Sequence, residues 1–313
     1  MRKAIGLGDV LALVTVVLWA SSFTVVKSAY TEFTPLAFAA VRFTGASLGM
    51  LVLLLALRRV LGVARADLLR AALVGVFHVG LYQIFFSTGL RYTTASNSVL
   101  IIAISPVLTA LLVWATRAEP IAGRQWAGIV LALLGIVLLV RAGGALAAGH
   151  LKGDLLTLLA AASYAVTPVL ILPLLRRYPT ISVMMVGMLF GTLMLIAAGF
   201  PELRRQSWDV TPTAWAQLAY AALGAGTLAY LFWYEGIGRI GPTRVAAYSY
   251  LIPVLGVTIA VVTLRESFTL WHALGAAVAL AGVALTRWPE RSAEGAEVPP
   301  RTLEAPQTAE GGG

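Results

Sequence analysis

Residues 104–119 read ISPVLTALLVWATRAE, and residues 251–266 read LIPVLGVTIAVVTLRE. The two stretches align without a gap, so that Pro106 matches Pro253 at an offset of 147 residues. The same offset continues on both sides of the two prolines. A chance match is hard to sustain over so long a constant offset, and we therefore interpret the chain as two copies of one unit.

The beginnings of the two copies align as well, at an offset of 145 residues. The matched pairs are Gly8 with Gly153, Asp9 with Asp154, Trp19 with Tyr164, and Ser22 with Thr167. Each copy holds five apolar segments, and because five is odd, the second copy enters the membrane from the opposite side. This pattern predicts an inverted repeat, a design in which secondary transporters exchange inward-open and outward-open states.

Long apolar blocks dominate the chain, which is 59% hydrophobic and 12% charged, against about 25% charged for a soluble domain. Ten blocks come close to the roughly 20 residues that an α-helix needs to cross a bilayer. The sequence therefore predicts an all-α integral membrane protein with ten transmembrane helices in two inverted five-helix repeats. The predicted spans are 9–29, 34–57, 68–90, 93–116, 122–141, 153–174, 180–199, 213–237, 242–264 and 269–288.

Domain boundaries follow from the repeat and from a change in composition near the end of the chain. The first repeat is predicted to cover residues 1–143 and the second 144–288. Residues 289–313 are rich in Glu and Pro, and we expect a disordered cytoplasmic tail because they have little apolar surface to bury. Lys and Arg concentrate in one set of alternate loops, which predicts that both termini lie in the cytoplasm.

Several classes of protein are disfavoured by what the sequence lacks. The net charge of +9 comes from short basic clusters between apolar blocks, whereas a nucleic-acid domain gathers such residues on one face. There is no cysteine, no phosphate-binding loop with a lysine, and no His, Asp or Glu cluster with metal-ligand spacing. We expect no cofactor, no metal and no nucleic-acid partner.

Short motifs along the chain resemble the EamA module of the drug/metabolite transporter superfamily. They are GRQWAG at 123–128 after Glu119, its echo after Glu266, WASS at 19–22 and RF at 42–43. The resemblance covers two tandem modules and implies a ten-helix fold, an inner (plasma) membrane location and export of small metabolites. Exporters of aromatic amino acids, threonine and other solutes are among the members, so the motifs do not name a substrate.

Polar groups inside a membrane are costly and tend to face a cavity or another helix, and transporter substrate sites lie near the midplane between repeats. Seven polar or aromatic residues near the middle of their spans form the predicted substrate-binding set: Trp19, Ser22, His78, Tyr82, Tyr164, Thr167 and Tyr248. The alternative is helix packing with satisfied hydrogen bonds. The second half carries Ala225 and Ala229 in place of His78 and Tyr82. This asymmetry favours a ligand-binding role for His78 and Tyr82 over helix packing alone.

Structural roles are expected for the other conspicuous residues. Arg42 is expected either to extend its charged end toward the membrane surface or to bond carbonyl groups at a contact between helices. Asp9 and Asp154 are expected to cap the helices that they open, and Glu119 and Glu266 are expected to cap the next helix or to pair with the basic residue beside them. Close helix packing is expected at Gly128, Ala132, Gly135, Gly275, Ala279 and Gly282.

The predicted function is a secondary exporter of small metabolites, most of all amino acids or related amphipathic solutes, working by alternating access. Its partners are a small-molecule substrate and the lipid bilayer. An intramembrane enzyme and a passive channel remain as alternatives, although His78 is the one titratable residue near the midplane. Proton coupling through His78 is open, and a monomer and a homodimer both fit the sequence.

Overall fold

The computed structural model describes residues 6–56, 62–115, 123–142, 148–240, 245 and 248–287. No strand occurs among these residues, so the all-helical prediction is confirmed for them. The predicted tail and Glu119 lie outside them. The elements are α1 (Leu7–Ala29), α2 (Pro35–Ala56), α3 (Arg65–Gly75), π1 (Val76–Leu81), α4 (Tyr82–Tyr92), α5 (Ala95–Ile102), α6 (Ser105–Ala115), α7 (Gly123–Ala142), α8 (Ala148–Leu175), α9 (Thr180–Arg205), α10 (Pro212–Ala219), π2 (Tyr220–Leu228), α11 (Ala229–Ile240), α12 (Leu251–Leu264) and α13 (Leu270–Arg287).

Six helical segments in the described part of the chain are long and apolar enough to cross a membrane. Two shorter apolar helices, Leu251–Leu264 and Leu270–Leu285, follow them. Helical residues occur in each of the ten predicted spans. The number of membrane crossings nevertheless stays a prediction. The six segments are Leu7–Ala29, Pro35–Ala56, Arg65–Tyr92, Ala95–Leu112, His150–Leu175 and Thr180–Arg205.

The outer faces of the helices are apolar, whereas many polar side chains are buried. Val262 is 72% exposed and Leu270 is 75% exposed. Ser98 and Thr157, by contrast, have no exposed surface. Lipid tails are as apolar as leucine, so helices in a bilayer gain nothing by hiding leucine and pack through small and polar residues. This distribution favours a surface surrounded by lipid.

Helices α7 and α13 pack at the small residues that the sequence singled out. A methyl group added to Gly135 would overlap the backbone of Ala279, and one added to Gly282 would overlap the backbone of Ala132. The two contacts are images of each other under the offset of 147 residues. Close packing at these positions is therefore confirmed, since a larger side chain would push the two backbones apart.

Two wide π-helical turns lie at corresponding places in the two copies. Segment π1 continues α3 into α4, and π2 continues α10 into α11. Under the offset of 147 residues, π1 falls within π2. Single π-turns inserted in α-helices are uncommon and concentrate at functional sites. Both segments line the central cavity described below, through His78 and Ala225.

The acidic residues expected as caps behave in three different ways. Asp9 accepts a hydrogen bond from the backbone N–H of Gly6 (3.0 Å) at the start of α1. Glu266 accepts from the backbone N–H groups of Ala95 (2.7 Å) and Ser96, so it caps α5 in the first copy and not, as expected, the helix that follows it. The prediction for Asp154 was wrong, because α8 begins six residues earlier.

Asp154 instead joins two elements of the fold from inside α8. Its carboxylate accepts hydrogen bonds from the hydroxyl of Thr93 and from the side-chain amide of Asn97 (3.4 Å). The residue is 3% exposed. A buried carboxylate with two donors is a positioning contact between the α4–α5 region and α8.

Candidate functional site

A cavity of about 290 Å³ lies among the helices, close to the lower end of the range typical of ligand sites. Its lining comes from both copies of the repeat, from α1 and α2 through to α13. Two repeat-related residues beside helix breaks also line the cavity. They are Ala103, between α5 and α6, and Tyr250, just before α12.

Five of the seven predicted site residues line this cavity, namely Trp19, Ser22, His78, Tyr82 and Tyr164. They come from α1, from the continuous segment π1–α4 and from α8, three regions that are distant in sequence. The structure thus brings together most of the residues that were predicted from their position near the middle of a span.

Thr167 and Tyr248 do not line the cavity. The Tyr248 hydroxyl donates a hydrogen bond to the carboxylate of Asp9 (2.8 Å) and so contacts the start of α1. Thr167 lies one turn beyond Tyr164 on α8 and is buried. Tyr248 thus fits the alternative of helix packing with a satisfied hydrogen bond. The hydroxyl of Thr167 has no hydrogen-bond partner among the described residues, so it fits neither that alternative nor the cavity.

Trp19 forms one wall of the cavity and is fixed on three sides. Its indole Nε1 donates a hydrogen bond to the carbonyl oxygen of Ala225 (3.1 Å), which lies within π2. Its ring lies 5.3 Å from the ring of Tyr230 and 5.1 Å from that of Trp233, measured between centroids. A π-turn disturbs the regular backbone ladder, which gives a neighbouring side chain access to a carbonyl. The indole is therefore held before any ligand arrives.

His78 and its neighbours form a second part of the cavity wall, which meets the first at Tyr230. Its Nε2 lies 3.0 Å from the hydroxyl of Tyr230, and its Nδ1 is buried without a hydrogen-bond partner. The imidazole ring lies 5.2 Å from the ring of Tyr164, which in turn lies 5.6 Å from the ring of Tyr82. The wall is aromatic but retains one polar nitrogen that has no partner in the described part of the chain.

The sequence reasoning missed several residues that line the cavity, among them Gln83, Tyr230 and Trp233. Arg42 also lines it, although it was assigned a structural role alone. That role is confirmed, because its Nε donates to the carbonyl oxygen of Ala221 (3.2 Å). A signal existed, since a charged or amide side chain deep in an apolar span is a functional candidate by default.

The chemistry available in the cavity is that of binding. Among the described residues no group of three or more His, Asp or Glu could hold a metal ion. No carboxylate occurs among the described lining residues, and Arg42 is the one Lys or Arg. Aromatic walls with a few hydrogen-bonding groups suit a small amphipathic solute.

Comparison with known proteins gives matches over nearly the whole chain. A profile described as the EamA-like transporter family matches residues 6–141 and 151–288. An Archaeoglobus fulgidus protein named an uncharacterized transporter is 28% identical over 88% of this chain and 96% of its own length. A Streptantibioticus cattleyicolor protein named a probable terminal-alkyne amino-acid exporter is 29% identical over 87% of this chain and 91% of its own. A crystal structure, 20% identical, covers 90% of this chain and 96% of its own with a TM-score of 0.64, a likeness of fold alone.

Proposed function

Because this chain belongs to the EamA-like transporter family, we propose that it is a secondary exporter of small metabolites, above all amino acids and related amphipathic solutes. The family match confirms the resemblance drawn from the motifs, and it points to a transporter and not to an enzyme. The proposal places the protein in the plasma membrane, with ten spans in two inverted repeats and both termini in the cytoplasm.

The observation that carries the proposal is the central cavity shared by both copies of the repeat. Trp19 and Tyr164, which are repeat-related, line it from opposite copies. In inverted-repeat transporters, the site sits between the copies, and rocking one copy against the other opens it to either side. The amino-acid class is supported by the name of the Streptantibioticus relative, a probable terminal-alkyne amino-acid exporter, and by the amphipathic lining.

Counterflow in liposomes tests the proposal and separates it from a passive channel. Purified protein in vesicles loaded with one unlabelled solute should accumulate the labelled solute transiently, across a panel of amino acids and related compounds. An alternating-access carrier exchanges solutes and saturates, whereas a channel dissipates the gradient without overshoot. Absence of overshoot for every solute in the panel would contradict the proposal.

Variants of cavity and surface tryptophans link the activity to the site. Trp19→Phe removes the indole N–H that contacts Ala225, and it should weaken apparent affinity severalfold through the loosened wall. The matched control is Trp114→Phe. Trp114 is exposed, packs on Trp126 and does not line the cavity. Equal effects of the two variants on apparent affinity would show that transport does not depend on this cavity.

A further inference from the structure

Arg42 lies about two turns into α2 and is only 8% exposed. Its Nε donates to the carbonyl oxygen of Ala221 (3.2 Å), and its Cζ lies 5.2 Å from the ring centroid of Phe43. No Asp or Glu of the described residues forms an ion pair with it. The guanidinium is thus a buried cation at the cavity wall that has no counter-charge in this part of the chain.

A guanidinium keeps its charge inside proteins and carries five N–H donors. The contact with Ala221 uses one donor, and the terminal nitrogens have no acceptor in the described part of the chain. A buried charge is strongly unfavourable unless it is paired and hydrogen-bonded. The planar fork of donors matches the two oxygens of a carboxylate, which can accept two parallel hydrogen bonds.

Two further polar groups in the cavity lack a protein partner. The Oε1 atom of Gln83 and the Nδ1 atom of His78 are both buried without a hydrogen bond among the described residues. Gln83 is 5% exposed and follows Tyr82 directly on α4. Both groups can contact a polar part of a solute, and neither supplies a negative charge. Arg42 is the one Lys or Arg of the described lining.

The repeat provides this cation in one copy alone. Under the offset of 145 residues, Arg42 corresponds to Gly187. Gly187 packs so tightly against Gly75 that a methyl group added to Gly75 would overlap its backbone. One copy therefore supplies a cation where the other supplies close helix packing. The cavity accordingly has one position from the pair that can bind an anionic group.

We propose that Arg42 binds the carboxylate of the transported solute, and that the substrate class is organic monocarboxylates with an apolar or aromatic body. The subsite rests on the proposed function, because it assigns a role within the same cavity. An amine on the solute meets no counter-charge among the described lining residues. The carboxylate, and not the amine, is the group that the cavity selects.

Three probes of similar body test the choice of class on the wild-type protein. Phenylalanine carries both groups, phenylpropionate lacks the amine, and phenylalaninamide lacks the carboxylate. Binding is read by tryptophan fluorescence of purified protein, because Trp19 and Trp233 line the cavity. Phenylpropionate should bind within about threefold of phenylalanine, and phenylalaninamide at least about tenfold more weakly, as expected for loss of a charged hydrogen bond.

Variants at Arg42 test the assigned residue. Arg42→Gln should abolish the preference of phenylpropionate over phenylalaninamide, and Arg42→Lys should keep part of it, because lysine retains the charge without the fork. Thr44→Val is the matched control on α2. The Thr44 hydroxyl bonds the carbonyl of Ala40 (2.8 Å) within its own helix and does not line the cavity. This control should keep the full preference.

The possible results separate the subsite from the proposed function. Equal binding of phenylpropionate and phenylalaninamide to the wild type, no binding of any probe, or a preference that survives Arg42→Gln would each overturn the subsite. If Arg42→Gln fails to insert, Arg42→Lys and the wild-type comparison still decide. Arg42-dependent binding without counterflow of any solute would contradict export and leave the subsite standing.

Discussion

Ser47 on α2 and Thr192 on α9 form a hydrogen bond, with 2.9 Å between the hydroxyl oxygens. They are 145 residues apart, the offset that aligns the first parts of the two copies. Two equivalent residues can touch each other only at an axis that relates their copies. The reciprocal contacts of Gly135 with Ala279 and of Gly282 with Ala132 obey the same symmetry. These relationships support the prediction of an inverted repeat.

The first prediction concerns the stability of this contact. Ser47→Ala and Thr192→Val each remove one partner and leave the other hydroxyl buried, which costs about 1–3 kcal/mol. Ser47→Ala should be the milder change, because the Thr192 hydroxyl keeps a contact of 3.4 Å with the carbonyl of Phe43. The double variant should lose less than the sum, with a coupling of about 1 kcal/mol. Unfolding in detergent measures the stability of all three variants. If the losses in the two single variants add up to the loss in the double variant, the contact contributes nothing.

The second prediction concerns the packing of α7 on α13. Gly135→Ala should destabilise the protein by about 1–3 kcal/mol or more, because the added methyl group meets backbone and not a movable side chain. Gly123→Ala is the control on the same helix, where nothing lies within 4 Å of the added carbon. Melting temperature and yield of inserted protein measure the difference. A Gly135→Ala protein as stable as the control would rule out so close an approach.

Much of the fold could be predicted because it depends on local and periodic features of the sequence. Apolar blocks placed the helices, and the constant offset located the repeat-related glycines Gly135 and Gly282. Asp154 was misread because the start of α8 depends on residues that precede the apolar block. Its pairing with Thr93 and Asn97 is a long-range contact that no local pattern encodes.

The candidate site was predicted in part, for a related reason. Depth along a helix can be read from the sequence, but the face turned toward the cavity is set by packing. Tyr164 and Thr167 share a helix face by spacing, yet only Tyr164 lines the cavity. Tyr230 was missed because it lies beyond the middle of the predicted span 213–237. A π-turn shifts side-chain directions around a helix, and nothing in the composition of π2 signals it.

The third prediction concerns pH and the loop between α1 and α2. The Glu32 carboxylate accepts hydrogen bonds from the hydroxyl (2.6 Å) and the backbone N–H (2.7 Å) of Thr211. These bonds, the hydroxyl first, hold the pKa of Glu32 below its ordinary value of 4.5. A lowered pKa contributes stability that is present above the ordinary value and is lost as pH falls through the lowered one.

Glu32→Gln removes the titrating group and tests whether this contribution to stability is lost as pH falls. The wild type should melt at a higher temperature than the variant at pH 7, and the difference should shrink as pH falls below 4.5. The size should be small, because the group is exposed to solvent. A difference that is the same at pH 7 and pH 3 would show that the carboxylate charge has no part in the contact.

The fourth prediction concerns orientation. Lys and Arg concentrate in the loops assigned to the cytoplasm, and such loops are retained there during insertion. A fluorescent protein fused to the C-terminus should therefore fold and fluoresce. Alkaline phosphatase, which is active outside the cytoplasm, should be active when fused at His150 and inactive at Arg176. The reverse pattern of phosphatase activity would invert the topology.

The fifth prediction concerns the role of His78 in the cavity. Histidine is the side chain whose ordinary pKa allows a change of charge between pH 5 and 8. A zwitterionic solute carries no net charge, so the membrane potential alone cannot drive its export, whereas exchange for a proton can. The competing role is a hydrogen bond to solute through Nδ1, which is buried without a partner among the described residues.

His78→Gln separates the two roles, since glutamine keeps a donor and an acceptor but cannot titrate. We expect the contact role, because no Asp, Glu or second His occurs among the described lining residues to pass a proton on from His78. Affinity for solute should then fall severalfold while any response to a pH gradient persists. Tyr230→Phe is the matched control, because it removes the hydroxyl 3.0 Å from Nε2 and leaves Nδ1 in place, so its effect should be smaller. A variant that still exchanges solute for solute yet ignores a pH gradient would identify His78 as the proton carrier. Unchanged affinity together with an unchanged pH response would remove His78 from the site.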